Sequence, residues 1–246
     1  MPKINILPDN VANQIAAGEV IARPSSCVKE LLENSIDAGA ENIIVSIENA
    51  GKKKIEIKDD GSGMEEEDLK NAFLRHATSK IKTIEDLNFI ETLGFRGEAL
   101  ASIASVARVE ASARTQSEDT GNYINIEGGN IVKQGKKASN KGTIISVKDL
   151  FYNTPARLKF LKSDYTEEAN IIEVVLNEAL AREKISFKLE IDGKENMFFP
   201  KSSGLKDRVR IAAGREVSDA LIDISYFTDN VKVTGYIYIP LLLHCR

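Results

Sequence analysis

Pro24-Ser25-Ser26-Cys27-Val28-Lys29-Glu30-Leu31-Leu32-Glu33-Asn34-Ser35-Ile36-Asp37-Ala38-Gly39 is the stretch on which the reading of this chain turns. Pro24 is tolerated in a first helical turn and Gly39 suits a C-terminal cap, so the spacing predicts a helix over 24–38. Val28, Leu31, Leu32 and Ser35 fall on one side of it. Glu30, Asn34 and Asp37, at i, i+4 and i+7, share another, with Glu33 beside them. Two readings are open from this helix alone. One is an amphipathic helix with a solvated acidic face, the better bet on these residues taken by themselves. The other is a carboxylate and an amide oxygen aimed at one ion or water. Magnesium takes hard oxygen ligands and keeps waters, so one amide oxygen plus phosphate oxygens would hold it. A neighbouring carboxylate could then orient and deprotonate a water.

Working outward, residues 10–19 read as a helix with Val11, Ile15 and Ala16 on one side. Residues 42–48 and 54–58 alternate and are rich in Ile and Val, which predicts a hairpin across the turn at Asn49-Ala50-Gly51-Lys52. Asp59-Asp60-Gly61-Ser62-Gly63-Met64 ends the second strand, and residues 65–77 resume a helical pattern. Residues 78–97 are weakly periodic and read as a mobile connection, followed by a short helix over 98–104. Strands follow over 106–115, 122–127, 130–134 and 142–148, the middle pair joined at Gly128-Gly129. Helices are expected over 155–161, 167–183 and 204–213, a strand pair within 185–199, and strands over 220–225 and 231–239. The order implies an α+β layer fold, a mixed sheet covered by helices, with a loose boundary near residue 200.

The 246 residues are 42% apolar and carry a formal net charge of −4, which suits a globular chain and argues against one that coats nucleic acid by bulk charge. The cysteines are Cys27 and Cys245 and the histidines His76 and His244, so no cluster has zinc-ligand spacing, and a reducing compartment is expected. The first ten residues lack a signal-peptide pattern, and no apolar run approaches the ~20 residues of a membrane span. A cytoplasmic location is the expectation.

Within Asp59–Met64, Asp59 at a strand end could accept from an exocyclic amine, and the glycines could let backbone approach a ligand. A plain Asp/Gly turn is the competing account. Thr92-Leu93-Gly94-Phe95-Arg96-Gly97-Glu98-Ala99-Leu100 reads either as a flexible loop entering a helix or as a lid whose helix-start N–H groups face phosphate oxygens. Arg75-His76-Ala77-Thr78-Ser79-Lys80 would add hydroxyls and a cation to the same lid, with His76 structural. No G-x-x-x-x-G-K-[ST] sequence occurs, which excludes a P-loop.

The order and wording of these runs go further than each alone. Asn13-Gln14-Ile15-Ala16-Ala17-Gly18-Glu19-Val20, the run 29–40, Arg75-His76-Ala77-Thr78-Ser79-Lys80-Ile81, the run 94–100 and Phe151-Tyr152-Asn153-Thr154-Pro155-Ala156-Arg157 together resemble the MutL family of DNA mismatch-repair proteins. The resemblance runs from about Ile4 to Pro240, and the wording of Leu7–Asn13 looks bacterial. Gyrase B, the large ATP-dependent chaperones and sensor histidine kinases share only the acidic helix and the Asp-Gly-x-Gly turn. Runs 94–100 and 151–157 argue against a chaperone or topoisomerase ATPase.

The resemblance implies a GHKL (Bergerat) ATPase fold over 1–200, then the start of a second, transducer α/β domain over 201–246. It implies ATP and Mg2+ as ligands, Glu30 as general base, and Asn34 as magnesium ligand, with Asp37 in the same nucleotide site. It assigns Asp59 to the adenine amino group and Gly63 and Thr143 to the adenine pocket. It assigns Thr78, Ser79, Lys80, Gly94, Phe95, Arg96, Gly97, Glu98, Ala99 and Leu100 to a lid over the phosphates. Asp60 stands where many relatives carry Asn, which would add a negative charge beside the base pocket.

A homodimer formed on ATP binding, with residues 4–20 as the contact, is implied as well. So are a mismatch-sensing MutS-type partner, downstream nicking and unwinding factors, a nucleoid-associated cytoplasmic setting, and weak DNA binding without sequence preference. Lys52-Lys53-Lys54 and Lys133, Lys136, Lys137 and Lys141 are candidate DNA contacts or simply solvated turn lysines. The match is lost at Leu241, before the family's second-domain lysine that reaches the γ-phosphate, so the chain reads as truncated or frame-shifted. Weak turnover is the expectation, and binding with no effective turnover the alternative. The apolar end Leu241–Leu243 would be an aggregation risk.

Overall fold

Strand alternation decides the architecture. In the computed structural model, which describes residues 9–81, 83, 85–89, 92–201 and 204–238, β1 (Asn42–Glu48) and β2 (Lys54–Asp59) form the expected antiparallel hairpin. Ile43, Val45 and Ile47 of β1 and Ile55 and Ile57 of β2 are buried on one face, while Ser46, Lys54, Glu56 and Lys58 take the other. The same alternation recurs in β3 (Arg108–Arg114), β4 (Gly121–Glu127), β6 (Gly142–Lys148) and β7 (Ser186–Ile191), with β5 (Asn130–Lys137) and β8 (Lys194–Phe199) at the two edges. The strands make one eight-stranded sheet in the order β5-β4-β3-β6-β2-β1-β7-β8. β1 and β7 pair in parallel and the other neighbours antiparallel, so the sheet is mixed.

The apolar face is covered by helices. α2 (Pro24–Asp37) supplies Cys27, Val28, Leu31 and Leu32, α4 (Ala99–Val106) supplies Ile103, Ala104 and Val106, and α6 (Asp164–Ala181) supplies Ile171, Val175 and Ala179. These side chains interlock with the sheet in one core, each contributing roughly 1.5–3 kcal/mol where a large aliphatic group is fully buried. α1 (Asp9–Val20) lies on α4 and buries Ala17, with Ile21 just beyond it. The polar face is laced by cross-strand pairs such as Lys148–Glu110 and Lys188–Glu195. This is the expected α+β two-layer arrangement.

Boundaries moved where tertiary contacts override local pattern. The helix expected over 65–77 is only α3 (Glu66–Asn71), because the chain turns at Ala72–Leu74 and His76, at φ +62°, gives its N–H to Gly97 O. α6 begins earlier than expected because Ser163 caps it, its hydroxyl accepting from Thr166 N. β5 runs three residues past Gln134, paired along β4 and carrying Lys133, Lys136 and Lys137 on the exposed edge, where charge discourages further pairing. The connection after Lys80 contains one 3-10 turn, Glu85–Asn88. α5 (Pro155–Phe160) follows β6, and none of its residues is buried.

Beyond β8, α7 (Leu205–Ala213) is tied to the main sheet by fully buried Arg208, whose guanidinium donates to the carbonyls of Phe199, Glu183 and Ile185. A short helix α8 (Arg215–Asp219), not expected from sequence, leads to the two-stranded β9 (Leu221–Phe227) and β10 (Lys232–Tyr238). Ile4–Pro8 of the expected dimer contact, Cys245, His244 and the apolar end Leu241–Leu243 lie outside the described residues.

Candidate functional site

α2 packs its apolar side on the sheet, and that docking turns the other side toward the 75–100 connection. At the sheet end of the site, Asp59 is the last residue of β2 and faces α2 on the same side as Ile55 and Ile57. Its Oδ1 accepts the N–H of Gly61 at 2.9 Å and of Thr143 at 3.2 Å, and its Oδ2 accepts the Ser35 hydroxyl at 2.8 Å. A carboxylate offers about four lone-pair directions. Three are taken, which leaves one on Oδ2 for a further donor. Burial pushes the Asp59 carboxyl up, and the bonds from Ser35, Gly61 and Thr143 work against that rise.

Thr143 is cross-strand from Asp59 on β6 and is itself buried, so the register of β2 on β6 brings the two expected base-pocket residues together. Gly63, at φ +72°, is pressed against the end of β3. A Cβ there would overlap the Arg114 carbonyl. The close approach that the Asp-Gly turn permits here is to the chain's own backbone. Asp60 is drawn into the fold by the start of β1. Its carboxylate does not stand free beside the base pocket but accepts from the N–H groups of Glu41 and Asn42 at 2.8 and 2.9 Å and from the Asn42 amide at 2.6 Å. Partial burial raises its pKa, but those bonds outweigh it and hold the carboxyl below the ordinary carboxylate range.

Ser35 was assigned by sequence to the apolar side, and it is buried there. Its hydroxyl nonetheless serves the site by orienting Asp59. A polar residue on the buried side of a helix is the only sign the sequence carries of such a role, since it must find a partner once dehydrated.

At the other end, Glu30, Asn34 and Asp37 project along α2 as the spacing required. Half-buried Glu30 has its pKa raised, first by burial and then by the Glu33 carboxylate, while Lys29, Lys80 and Arg96 oppose the rise. Glu33 is paired with Lys29 at 3.4 Å. Lys80 reaches across from the connection and donates to Asn34 Oδ1 at 3.0 Å and to Asp37 Oδ2 at 2.5 Å. Leu93 N and Gly94 N also donate to Asp37, at 3.1 and 3.3 Å. Lys80 and Gly94, both expected in the lid, meet α2 through Asp37, a convergence that no local pattern in the sequence shows.

The remaining lid residues lie along the same edge. The Thr78 hydroxyl accepts from Lys80 N at 3.2 Å, the Arg96 guanidinium lies 5.7 Å from the Phe95 ring centre, and Gly97 O pairs with His76 N. Glu98, 3.7 Å from His76, starts α4, in which Ala99 and Leu100 form the first turn. Ser79 is exposed. The candidate DNA lysines Lys52, Lys53 and Lys54 are ion-paired to Asp164, Glu48 and Glu56 respectively.

The donor set can be tested against the implied ligands. A cation, the Lys80 ammonium, already rests on Asn34 Oδ1, so that amide oxygen is oriented to hold positive charge. The spare lone pair of Asp59 suits an amine donor. Among the described residues no cluster of three or more His, Cys, Asp or Glu could hold a metal by itself, so an ion here needs oxygens from a second ligand.

Comparison with known proteins identifies the family and the fold. Residues 22–154 match the family described as histidine kinase-, DNA gyrase B-, and HSP90-like ATPase. A DNA mismatch repair protein MutL of Clostridium botulinum (strain Langeland / NCTC 10281 / Type F) is 50% identical over 240 residues, 98% of this chain and 36% of that protein. The MutL of Thermodesulfovibrio yellowstonii is 48% identical over 233 residues, 95% of this chain and 43% of that protein. The chain thus spans well under half the length of these curated relatives. Among solved structures, the Aquifex aeolicus MutL ATPase domain complexed with ADP superposes with a TM-score of 0.66 and 32% identity, covering 84% of this chain and 73% of that one. The N-terminal domain of a DNA repair protein superposes with a TM-score of 0.77 and 27% identity, covering 92% and 71%.

Proposed function

The chain belongs to the MutL family of DNA mismatch-repair proteins, as its ATPase region, and on that premise we propose that it binds ATP with Mg2+, hydrolyses it slowly, and dimerises on binding to couple mismatch recognition to repair factors. In this reading residues 1–200 are the ATP-binding domain and 201–246 begin a second one. The observation that carries it is the pairing, on two sides of the C-terminal part of α2, of a base-reading carboxylate and a metal-holding amide oxygen. Asp59 keeps one lone pair for the adenine amine, while Asn34 Oδ1 and Glu30 face the lid.

Each residue then has a distinct task. Asp59 accepts from the exocyclic amine, with Thr143 and Gly63 forming the wall around it. Asn34 holds Mg2+ through its amide oxygen once Lys80 moves onto phosphate oxygens. When bound, Mg2+ would neutralise charge on the phosphates. Glu30, its pKa raised by burial, takes a proton from the attacking water. Thr78, Ser79, Lys80 and the segment Gly94, Phe95, Arg96, Gly97, Glu98, Ala99 and Leu100 close over the phosphates, with backbone N–H groups as donors. Dimerisation through residues 4–20, engagement of a MutS-type sensor and of nicking and unwinding factors, a cytoplasmic and nucleoid-associated setting, and salt-sensitive, sequence-independent DNA contact complete the proposal.

Calorimetry with a non-hydrolysable ATP analogue tests it. Binding should require Mg2+ for full affinity, and Asn34→Ala should lose that dependence. Slow Mg2+-dependent phosphate release, abolished in Glu30→Ala, is the expected kinetic result. Binding without any release would favour a nucleotide-gated dimerisation module. No binding by the folded chain would remove the proposal.

A further inference from the structure

The donors of the lid are already gathered on an anion, and that anion is a side chain of α2. Asp37 is the last residue of α2, with a side chain 8% exposed. Its Oδ1 accepts the Leu93 N–H at 3.1 Å, and its Oδ2 accepts the Gly94 N–H at 3.3 Å. The same Oδ2 takes the Lys80 ammonium at 2.5 Å, and that ammonium extends to Asn34 Oδ1 at 3.0 Å. One carboxylate therefore draws in two successive backbone N–H groups and one cation, from two separate segments of the lid. Successive backbone donors with a lysine ammonium are also the donor set that a phosphate group selects.

Helix stability does not explain the position. A carboxylate at a helix C-terminus opposes the negative end of the helix dipole, and the last turn of α2 carries no basic residue to offset it. The compensation comes entirely from the lid. A polyphosphate that takes Leu93 N, Gly94 N and Lys80 Nζ must remove them from Asp37. A divalent cation that takes Asn34 Oδ1 must remove Lys80, because two cations on one amide oxygen repel strongly.

We propose that Asp37 is an internal competitor of the nucleotide's phosphates: it straps both lid segments to α2 and releases them when a polyphosphate takes their donors. The proposal rests on the reading of this face as a magnesium-nucleotide site and assigns Asp37 a different part in it from Glu30 and Asn34. Asp37 is a positioning residue that acts through Leu93, Gly94 and Lys80. Apparent affinity is then scaled by the fraction of molecules whose lid donors are free, so the strap trades affinity for a closed resting lid.

Hydrogen exchange and calorimetry on the full chain separate the possibilities. In Asp37→Asn without nucleotide, the amides around Leu93 and Gly94 should exchange about tenfold faster, the loss of one charge-assisted bond, while those of β3 stay protected. The same variant should bind the analogue AMPPNP with Mg2+ more tightly, by roughly three- to tenfold. Unchanged lid exchange overturns the strap. Faster exchange with unchanged or weaker AMPPNP binding overturns the competition; in the weaker case Asp37 is a direct ligand contact. If the unsubstituted chain binds no AMPPNP, the magnesium-nucleotide reading falls and takes the competition with it, while the exchange rates still decide the strap. Should Asp37→Asn also lose β3 protection, Lys80→Met reads the strap from its other side, and unchanged lid exchange there overturns it too.

Discussion

The two ends of the site beside α2 are built in opposite ways. At the sheet end, Asp59 is held by backbone N–H groups of Gly61 and Thr143 and by a buried hydroxyl, and the strands on either side are locked by ladder pairing. At the lid end, Asn34 and Asp37 are held by a flexible lysine and by the N–H groups of a loop outside any helix or strand. The first end is preformed and leaves one lone pair to fill. The second has its donors and acceptors spent on each other and must rearrange to take a ligand. Selectivity thus belongs to the rigid end and switching to the soft one, because a group fixed by backbone bonds cannot move without breaking strands.

Substitutions can sharpen that contrast or break it. The largest effect is expected from Asp59→Asn, which puts an amide donor where acceptors are needed. AMPPNP affinity should fall by about a hundredfold, or ~2.7 kcal/mol, in calorimetry, and a smaller loss than tenfold would remove Asp59 from the base-reading role. Next is Gly63→Ala, at φ +72° against the Arg114 carbonyl. Strain and overlap should destabilise the protein by roughly 2–3 kcal/mol and lower the melting temperature by several degrees.

Glu30→Gln probes burial at the lid end through pH. The folded pKa of Glu30 is raised above its ordinary 4.5, so the native protein binds the proton more tightly than the unfolded chain. The stability from that preference is complete below the ordinary value and is lost as pH rises through the folded pKa. Glu30→Gln should therefore melt higher than the unsubstituted protein at pH 7, and the difference should vanish below pH 4.5. Equal melting temperatures at both pH values would contradict the burial. The smallest effect is expected from Gly94→Ala, where a Cβ would lie 3.4 Å from Lys80 Nζ, an ordinary contact. Stability should stay within about 0.5 kcal/mol, and a loss as large as that of Gly63→Ala would show the lid end to be as rigid as the sheet end.

The legible parts of the molecule were those with a period. Alternation in β1, β2, β3, β4 and β6 and the 3.6-residue repeat of α2 carried the fold class and the common face of Glu30, Asn34 and Asp37. Local pattern failed where a distant residue intervened. α3 stops short because His76 pairs with Gly97, some twenty residues on, and α8 has too few residues to show a period. Asp60 reads as one more charge in an acidic turn until the start of β1 is folded beside it and consumes both its oxygens.

By itself the sequence determined which residue types share a helix face, where strands alternate, and which family's wording the chain carries, since these depend on neighbours a few positions apart. Only the tertiary structure decided that Ser35 and Thr143 both donate to Asp59, and that Lys80, Leu93 and Gly94 converge on Asp37. The reason is physical: hydrogen bonds are satisfied in space, and the partners lie 24, 84, 43, 56 and 57 positions apart along the chain.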